Sequence, residues 1–135
     1  MIQANELRIG NYIADIWTPN GLFKVTELRK DKIFYGNCFK AKYDDIRPIP
    51  LTEEILLKAG GKRFDEDKII LMLNDPSTHL VLMKVGTHWF PQIEQTGEFA
   101  SEGVNVVFLN FIDYLHQLQN LFFALTGEEI KIELE

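Results

Sequence analysis

LHQLQNLFFALTG, residues 115 to 127, decides how the second half of this chain is read. At ~100° per residue, Phe111, Tyr114, Leu115, Leu118, Leu121, Phe122 and Leu125 fall within an arc of about 120°. Asp113, His116, Gln117 and Asn120 cluster on the opposite side. The spacing predicts a helix over residues 111 to 126, laid on a sheet, with Asn110 or Asp113 as its N-cap and Gly127 as its stop. Burying each large apolar side chain contributes ~1.5–3 kcal/mol, so this helix is expected to dominate the core around it. His116, Gln117 and Asn120 are expected in solvent. Ile112, Gln119 and Phe123 form a shoulder beside the core arc, and two readings of it stay open. It packs on the N-terminal region or the linker helix, or it is a surface for a protein partner or self-association.

Upstream of that helix, KIILML (68 to 73), HLVLMKV (79 to 85), THWFPQI (87 to 93) and VNVVFL (104 to 109) read as strands rich in β-branched and aromatic residues. Asn74-Asp75-Pro76-Ser77 is a turn between the first two, and residues 95 to 103 form a polar loop. Downstream, EIKIEL (129 to 134) alternates, which predicts a strand with one buried face closing the sheet.

The N-terminal half has a different texture. Residues 6 to 47 hold short strands separated by turn signals, among them Pro19-Asn20-Gly21, where Pro presets φ and Asn and Gly tolerate positive φ. That spacing predicts an SH3-like small β-barrel. Pro48 and Pro50 keep the next stretch extended. Thr52 then caps a short helix with Glu53 and Glu54 in its first turn, ended by Gly60-Gly61. The expected fold is α+β: a barrel over residues 1 to 50, a linker helix over 51 to 61, and a sheet with one C-terminal helix and a closing C-terminal strand over 62 to 135, the whole able to form one integrated domain.

Of the 135 residues, 46% are hydrophobic and 25% charged, ordinary values for a globular chain. The net charge of -6 argues against a general nucleic-acid binder. The acidity is uneven: residues 1 to 60 carry nine Lys and Arg against eight Asp and Glu, and residues 61 to 135 carry five against twelve. Cys38 is the only cysteine, which excludes a disulfide framework and predicts a buried or half-buried reduced thiol. The start, MIQANELRIG, lacks the basic and apolar regions of a signal peptide, and no apolar run reaches the ~20 residues of a membrane span. A cytoplasmic protein with no membrane association is expected.

Chemical motifs are sparse. His79, His88 and His116 lack metal-ligand spacing, and Asp65-Glu66-Asp67 lacks the glycine and distal glutamate of a calcium loop. No phosphate-cradling glycine loop and no Ser-centred elbow occur, so no catalytic residue, metal or cofactor is assigned. His88 and Trp89 could line a pocket or plug the end of the sheet. One constellation points to a ligand. Lys24, Arg29, Lys30, Lys32, Lys40, Lys42 and Arg47 interleave with Phe23, Phe34, Tyr35, Phe39 and Tyr43, the composition of a surface that grips a single strand by phosphate contact and stacking. Glu27, Asp31, Asp44 and Asp45 dilute that field, and an ordinary barrel surface is the competing reading.

Three blocks carry a resemblance. NELRIGNYI, DIRPIPLTEEILLKAGG and LHQLQNLFFALTGEEI, in that order, resemble a group of small uncharacterised proteins of Bacteroides-type bacteria that recur in prophages and other mobile elements. Residues 62 to 109 carry no part of it. The resemblance implies a bacterial cytosolic accessory factor of a mobile element and supplies no catalytic residue. The function expected is a non-enzymatic binding or interaction module with a protein partner. A nucleic-acid-binding accessory protein is the alternative, and a small hydrolase with an unrecognised site is the third reading.

Overall fold

A computed structural model of the chain describes residues 2–18, 20–73, 77–95 and 105–133. The fold is α+β, with two antiparallel five-stranded sheets and two α-helices among the described residues. It divides into two compact units. The first comprises residues 1–50 and 114–121, the second residues 51–113 and 122–135.

In the first unit, β1 (Tyr12–Asp15), β2 (Phe23–Leu28), β3 (Lys32–Tyr35), β4 (Phe39–Lys42) and β5 (Ile46–Arg47) lie in the order β4-β3-β2-β1-β5. A 3-10 turn, Tyr43–Asp45, separates β4 from β5. Alternation puts Ile13, Val25, Ile33, Tyr35, Ala41 and Ile46 on the inner face, where they join Ile2 and Leu7 in one core. A bulge between Val25 and Glu27 resets the phase. It explains why Leu28 falls out of step in sequence yet pairs with Ile33 on the inner side. Asn20 has a φ of 57°, as its turn requires; Pro19 lies outside the described residues. Inside the core edge, Tyr35 donates to Asp15 Oδ2 at 2.8 Å, while Asp15 Oδ1 accepts from the Trp17 and Thr18 amides. Cys38 sits exposed in the β3–β4 turn. The expected buried thiol is therefore corrected: a tight turn carries its middle residues to the surface.

The second unit opens with α1 (Glu53–Lys58). Thr52 Oγ1 accepts from the Ile55 amide at 3.2 Å, as the sequence predicted. At its end, Gly60 takes a φ of 92°, and the Gly60 and Gly61 amides return to Leu57 and Leu56 carbonyls, a Schellman closure. A side chain on Gly61 would meet the Leu56 carbonyl oxygen at 2.6 Å. Strands β6 (Lys62–Arg63), β7 (Lys68–Met72), β8 (Thr78–Val85), β9 (His88–Gln95) and β10 (Asn105–Phe108) form a meander in spatial order β10-β9-β8-β7-β6. Asp65-Glu66-Asp67 makes the β6–β7 turn. Residues 74–76 of the expected turn, 96–103 of the expected loop and 104 at the start of the expected fourth strand lie outside the described residues. Ile69, Leu71, Leu80, Leu82 and Trp89 are buried on one face, and α1 packs on β7.

Two expectations are corrected at the C-terminal end. Helix α2 spans Leu115–Thr126, not 111 to 126. The backbone of residues 112 and 113 is already bonded: Ile112 exchanges both hydrogen bonds with Trp89, and the Asp113 carbonyl accepts from Leu51. A helix cannot form until those groups are passed. Gln117 Oε1 then accepts from the Tyr114 amide at 3.1 Å, half of a capping box. Beyond the helix, Gly127 has a φ of 74°, but residues 129–133 form no strand. Their segment buries Ile130 and donates from the Glu133 amide to the Lys58 carbonyl at 3.1 Å. Alternation without a strand to pair with gives no strand, and residue 134 of the expected one lies outside the described residues. No helix among the described residues is long and apolar enough to cross a membrane.

Candidate nucleic-acid interface

The outer face of the N-terminal sheet follows from its register. Because successive side chains alternate, the neighbours of buried Ile13, Val25, Ile33 and Ala41 must point outward. Tyr12 stands opposite Lys24, Glu27 opposite Phe34, Phe34 opposite Lys40, and Lys32 opposite Lys42. Four lysines and two aromatic rings thus share one face, and Lys24, Lys40 and Lys42 are exposed. The cations and rings are already partnered with each other. Lys24 Nζ lies 5.4 Å from the Tyr12 ring centroid, and Arg29 and Lys32 lie 4.8 and 5.6 Å from that of Phe34.

The acids that diluted this field in sequence are spread differently in space. Only Glu27 lies on the face, paired with Arg29 at 3.0 Å. Asp31 sits with Lys30 in the β2–β3 turn, and Asp44 and Asp45 in the 3-10 turn. Arg47 donates to the Asp44 and Ile46 carbonyls. Tyr43 donates to the Arg29 carbonyl at 2.6 Å, and its hydroxyl is held above its ordinary pKa by burial and by the charge of Asp31. Of the aromatics expected there, Phe23, Tyr35 and Phe39 cluster on the opposite face with centroids 5.4 to 5.7 Å apart, Phe39 remaining half exposed. Tyr12 replaces them, a residue the sequence window beginning at Phe23 had missed. The pairing of β1 with β2 brings it in.

What fixes β1 and the segment before it is a polar set on α2, Gln119 of the expected shoulder together with His116 and Asn120 expected in solvent. Gln119 is 2% exposed. Its Oε1 accepts from the Tyr12 amide at 2.8 Å, and its Nε2 donates to the Gly10 carbonyl at 3.2 Å. One side-chain amide thereby supplies the donor and acceptor that a neighbouring strand would have offered. Asn120 donates to the Glu6 carbonyl and accepts from Arg8 Nε and Asn11 Nδ2, each within 2.9 Å. Arg8 also donates to the Gln119 carbonyl. His116, expected in solvent, is fully buried, with Nε2 at 3.3 Å from Glu6 Oε1. Burial holds its pKa below the ordinary value against the opposing pull of Glu6.

The shoulder dissolves accordingly. Gln119 is buried polar structure within the first unit. Ile112 precedes the helix and is buried in its bridge with Trp89 in the second. Phe123 is 39% exposed. Hydropathy had grouped the three by assuming a helix that began too early.

His88 and Trp89 do not share a pocket, because adjacent residues of a strand face opposite ways. Trp89 is buried and donates from Nε1 to the Leu51 carbonyl at 3.0 Å. His88 lies on the other face with Nδ1 2.7 Å from Asp113 Oδ1 and its ring 4.4 Å from that of Phe111. The described contacts of His88 include no hydroxyl or thiol, the third member that nucleophilic catalysis requires. Phe111, expected in the helix core, is half exposed. Among the described residues no group of three or more metal-ligating side chains converges.

No protein-family model, curated protein or solved structure matches this chain.

Proposed function

We propose that the chain is a non-enzymatic binding module that holds single-stranded nucleic acid on the outer face of its N-terminal sheet. The observation that carries the reading is the register: it collects Lys24, Lys32, Lys40 and Lys42 with Tyr12 and Phe34 on one face, although the chain as a whole is acidic. Lysines contact phosphates, and the half-buried Tyr12 and Phe34 rings offer sequence-tolerant stacking once their cations turn to phosphate. The reading includes an SH3-like assignment for this unit, supported by the order β4-β3-β2-β1-β5 and the 3-10 turn between β4 and β5. The protein partner expected at the α2 shoulder loses its support, since two of its three residues are buried. An accessory role in a mobile element rests on the three-block resemblance alone.

Anisotropy of a labelled oligothymidine with the full chain tests the reading. Binding is expected at low salt, with log affinity falling against log salt at a slope of about -3 for four neutralised phosphates. Lys40→Glu with Lys42→Glu, on the exposed edge strand, is expected to weaken binding at least about tenfold and to halve the slope roughly. Equal binding by that variant, equal affinity for duplex, or no binding at low salt overturns the proposal.

A further inference from the structure

The second sheet carries a different surface. Antiparallel sheets with one solvated face alternate apolar and polar residues. Here the residues alternating with the buried Ile69, Leu71, Leu80 and Leu82 are Ile70, Met72, Val81 and Met83. KIILM and LVLM are therefore continuous apolar runs, the pattern of strands covered on both sides. No described element lies over this outer side as α1 does over the inner one: Met72 and Val85 are exposed.

Cross-strand pairing orders that face into rows. Lys62 pairs with Ile70, Ile70 with Val81, and Val81 with Gln92. In the next row Met72 pairs with His79, and His79 with Glu94. Together with Phe64, 68% exposed at the end of β6, these rows apart from Gln92 line a trough of about 640 Å³. Small-molecule sites fall between ~300 and 1,000 Å³ and combine an apolar lining with a few placed polar groups. Val81, only 3% exposed, forms its floor.

The charges give the trough a direction. Lys62 and Lys68 flank Ile70 on the β6–β7 side; Glu94 stands on the β9 side. Arg63, which also lines it, is paired with Glu53. A negative group is attracted to the lysine end and repelled from the glutamate end, and the space between them is apolar.

We infer that this trough binds a small amphiphilic anion, an apolar carboxylate whose body covers Ile70, Met72 and Val81 and whose head group meets Lys62 and Lys68. The site lies wholly in the second unit and is independent of the nucleic-acid reading. A carboxylate at Lys62 and Lys68 gains charge-assisted hydrogen bonds, while its chain covers exposed Met72 and half-buried Ile70 above the Val81 floor.

Amide chemical shifts of the full, isotopically labelled chain, titrated with decanoate and with decyltrimethylammonium, test this. Both probes carry the same tail and opposite heads. Decanoate is expected to move the amides of Lys62, Ile70, Met72 and Val81 and to bind at least about tenfold more tightly than the cation. Lys62→Glu with Lys68→Glu, two polar-surface changes checked by circular dichroism, is expected to reverse that preference. Met72→Asp, at an exposed position, is expected to abolish decanoate binding. The proposal is overturned by equal affinity for the two heads, by shifts confined to other residues, or by an unchanged preference in the lysine variant. Sedimentation showing a dimer whose dissociation leaves decanoate unbound also overturns it, because the face then serves a second copy.

Discussion

In the N-terminal sheet, the residues that alternate with buried Ile13, Val25 and Ile33 include Tyr12, Lys24 and Lys32; in the second sheet, those that alternate with buried Ile69, Leu71 and Leu80 are Ile70, Met72 and Val81. Both sheets are antiparallel and five-stranded, so backbone pairing does not distinguish them. Their outer faces do. One presents lysines beside half-buried rings, the other Met72 and Val85 as exposed apolar groups. The chain's net acidity hides the first, and an ordinary hydrophobic fraction gives no sign that no described element lies over the outer side of the second.

The comparison breaks most sharply within the second sheet. Leu82 is fully buried, whereas Val85, three residues along the same strand, is 52% exposed on the open face. Leu82→Ala is expected to cost about 3 kcal/mol, from lost burial and the cavity left behind. Val85→Thr is expected to stay within about 0.5 kcal/mol. Urea unfolding of both variants measures the difference. Comparable losses would mean that the open face is part of a covered core, contrary to the amphiphile proposal.

In the N-terminal sheet the start of β1 is held by polar contacts added to an apolar core. Gln119→Leu preserves size but strands the Tyr12 amide and the Gly10 carbonyl. Two buried backbone groups without partners are expected to cost about 2 to 3 kcal/mol. Faster amide exchange should appear along β1, with the slow exchange of β7 and β8 retained. A neutral Gln119→Leu would show that water replaces the side chain easily.

Those two variants also mark what the sequence could tell. Thr52, Gly60 and the strands from Lys68 to Gln95 were legible because caps, turns and apolar runs act over a few residues. The polar side of α2 was not. His116, Gln119 and Asn120 are helix-face polar residues by every local measure, yet their partners are Glu6 to Tyr12, more than 100 positions away. The one available clue was Gly10-Asn11 in NELRIGN, a bend whose backbone groups needed partners from somewhere. EIKIEL failed in the opposite sense: its alternation was real, and Ile130 is buried, but strand formation requires a neighbouring edge that local pattern cannot supply. The basic face was half legible. Composition found the lysines; only register could separate outward Phe34 from inward Tyr35 and recruit Tyr12.

The smallest expected effect is also the most specific to polar closure. Burial keeps the His116 ring neutral at pH 7, against the pull of Glu6, and its Nδ1 has no hydrogen-bond partner among the described residues. The ring stacks on Tyr114, with centroids 5.9 Å apart. In the unfolded chain this imidazole takes up a proton near its ordinary pKa of 6.5. The folded protein resists that uptake, so between 6.5 and the lower folded value the unfolded state binds more protons and stability falls as pH falls. Asp15 acts in a separate window. Burial raises its pKa, but hydrogen bonds from Tyr35, Thr18 and Trp17 outweigh that and leave it below 3.8, so its contribution is lost only in stronger acid. Unfolding free energies measured from about pH 7.5 to 5.5 therefore stay clear of the Asp15 window, and the His116 contribution is read by comparing the native chain with a His116 variant. His116→Gln keeps a donor for Glu6 and removes the titration. Its stability is expected to change less with pH across that range than the native chain's, and an identical slope would assign the acid sensitivity to another group.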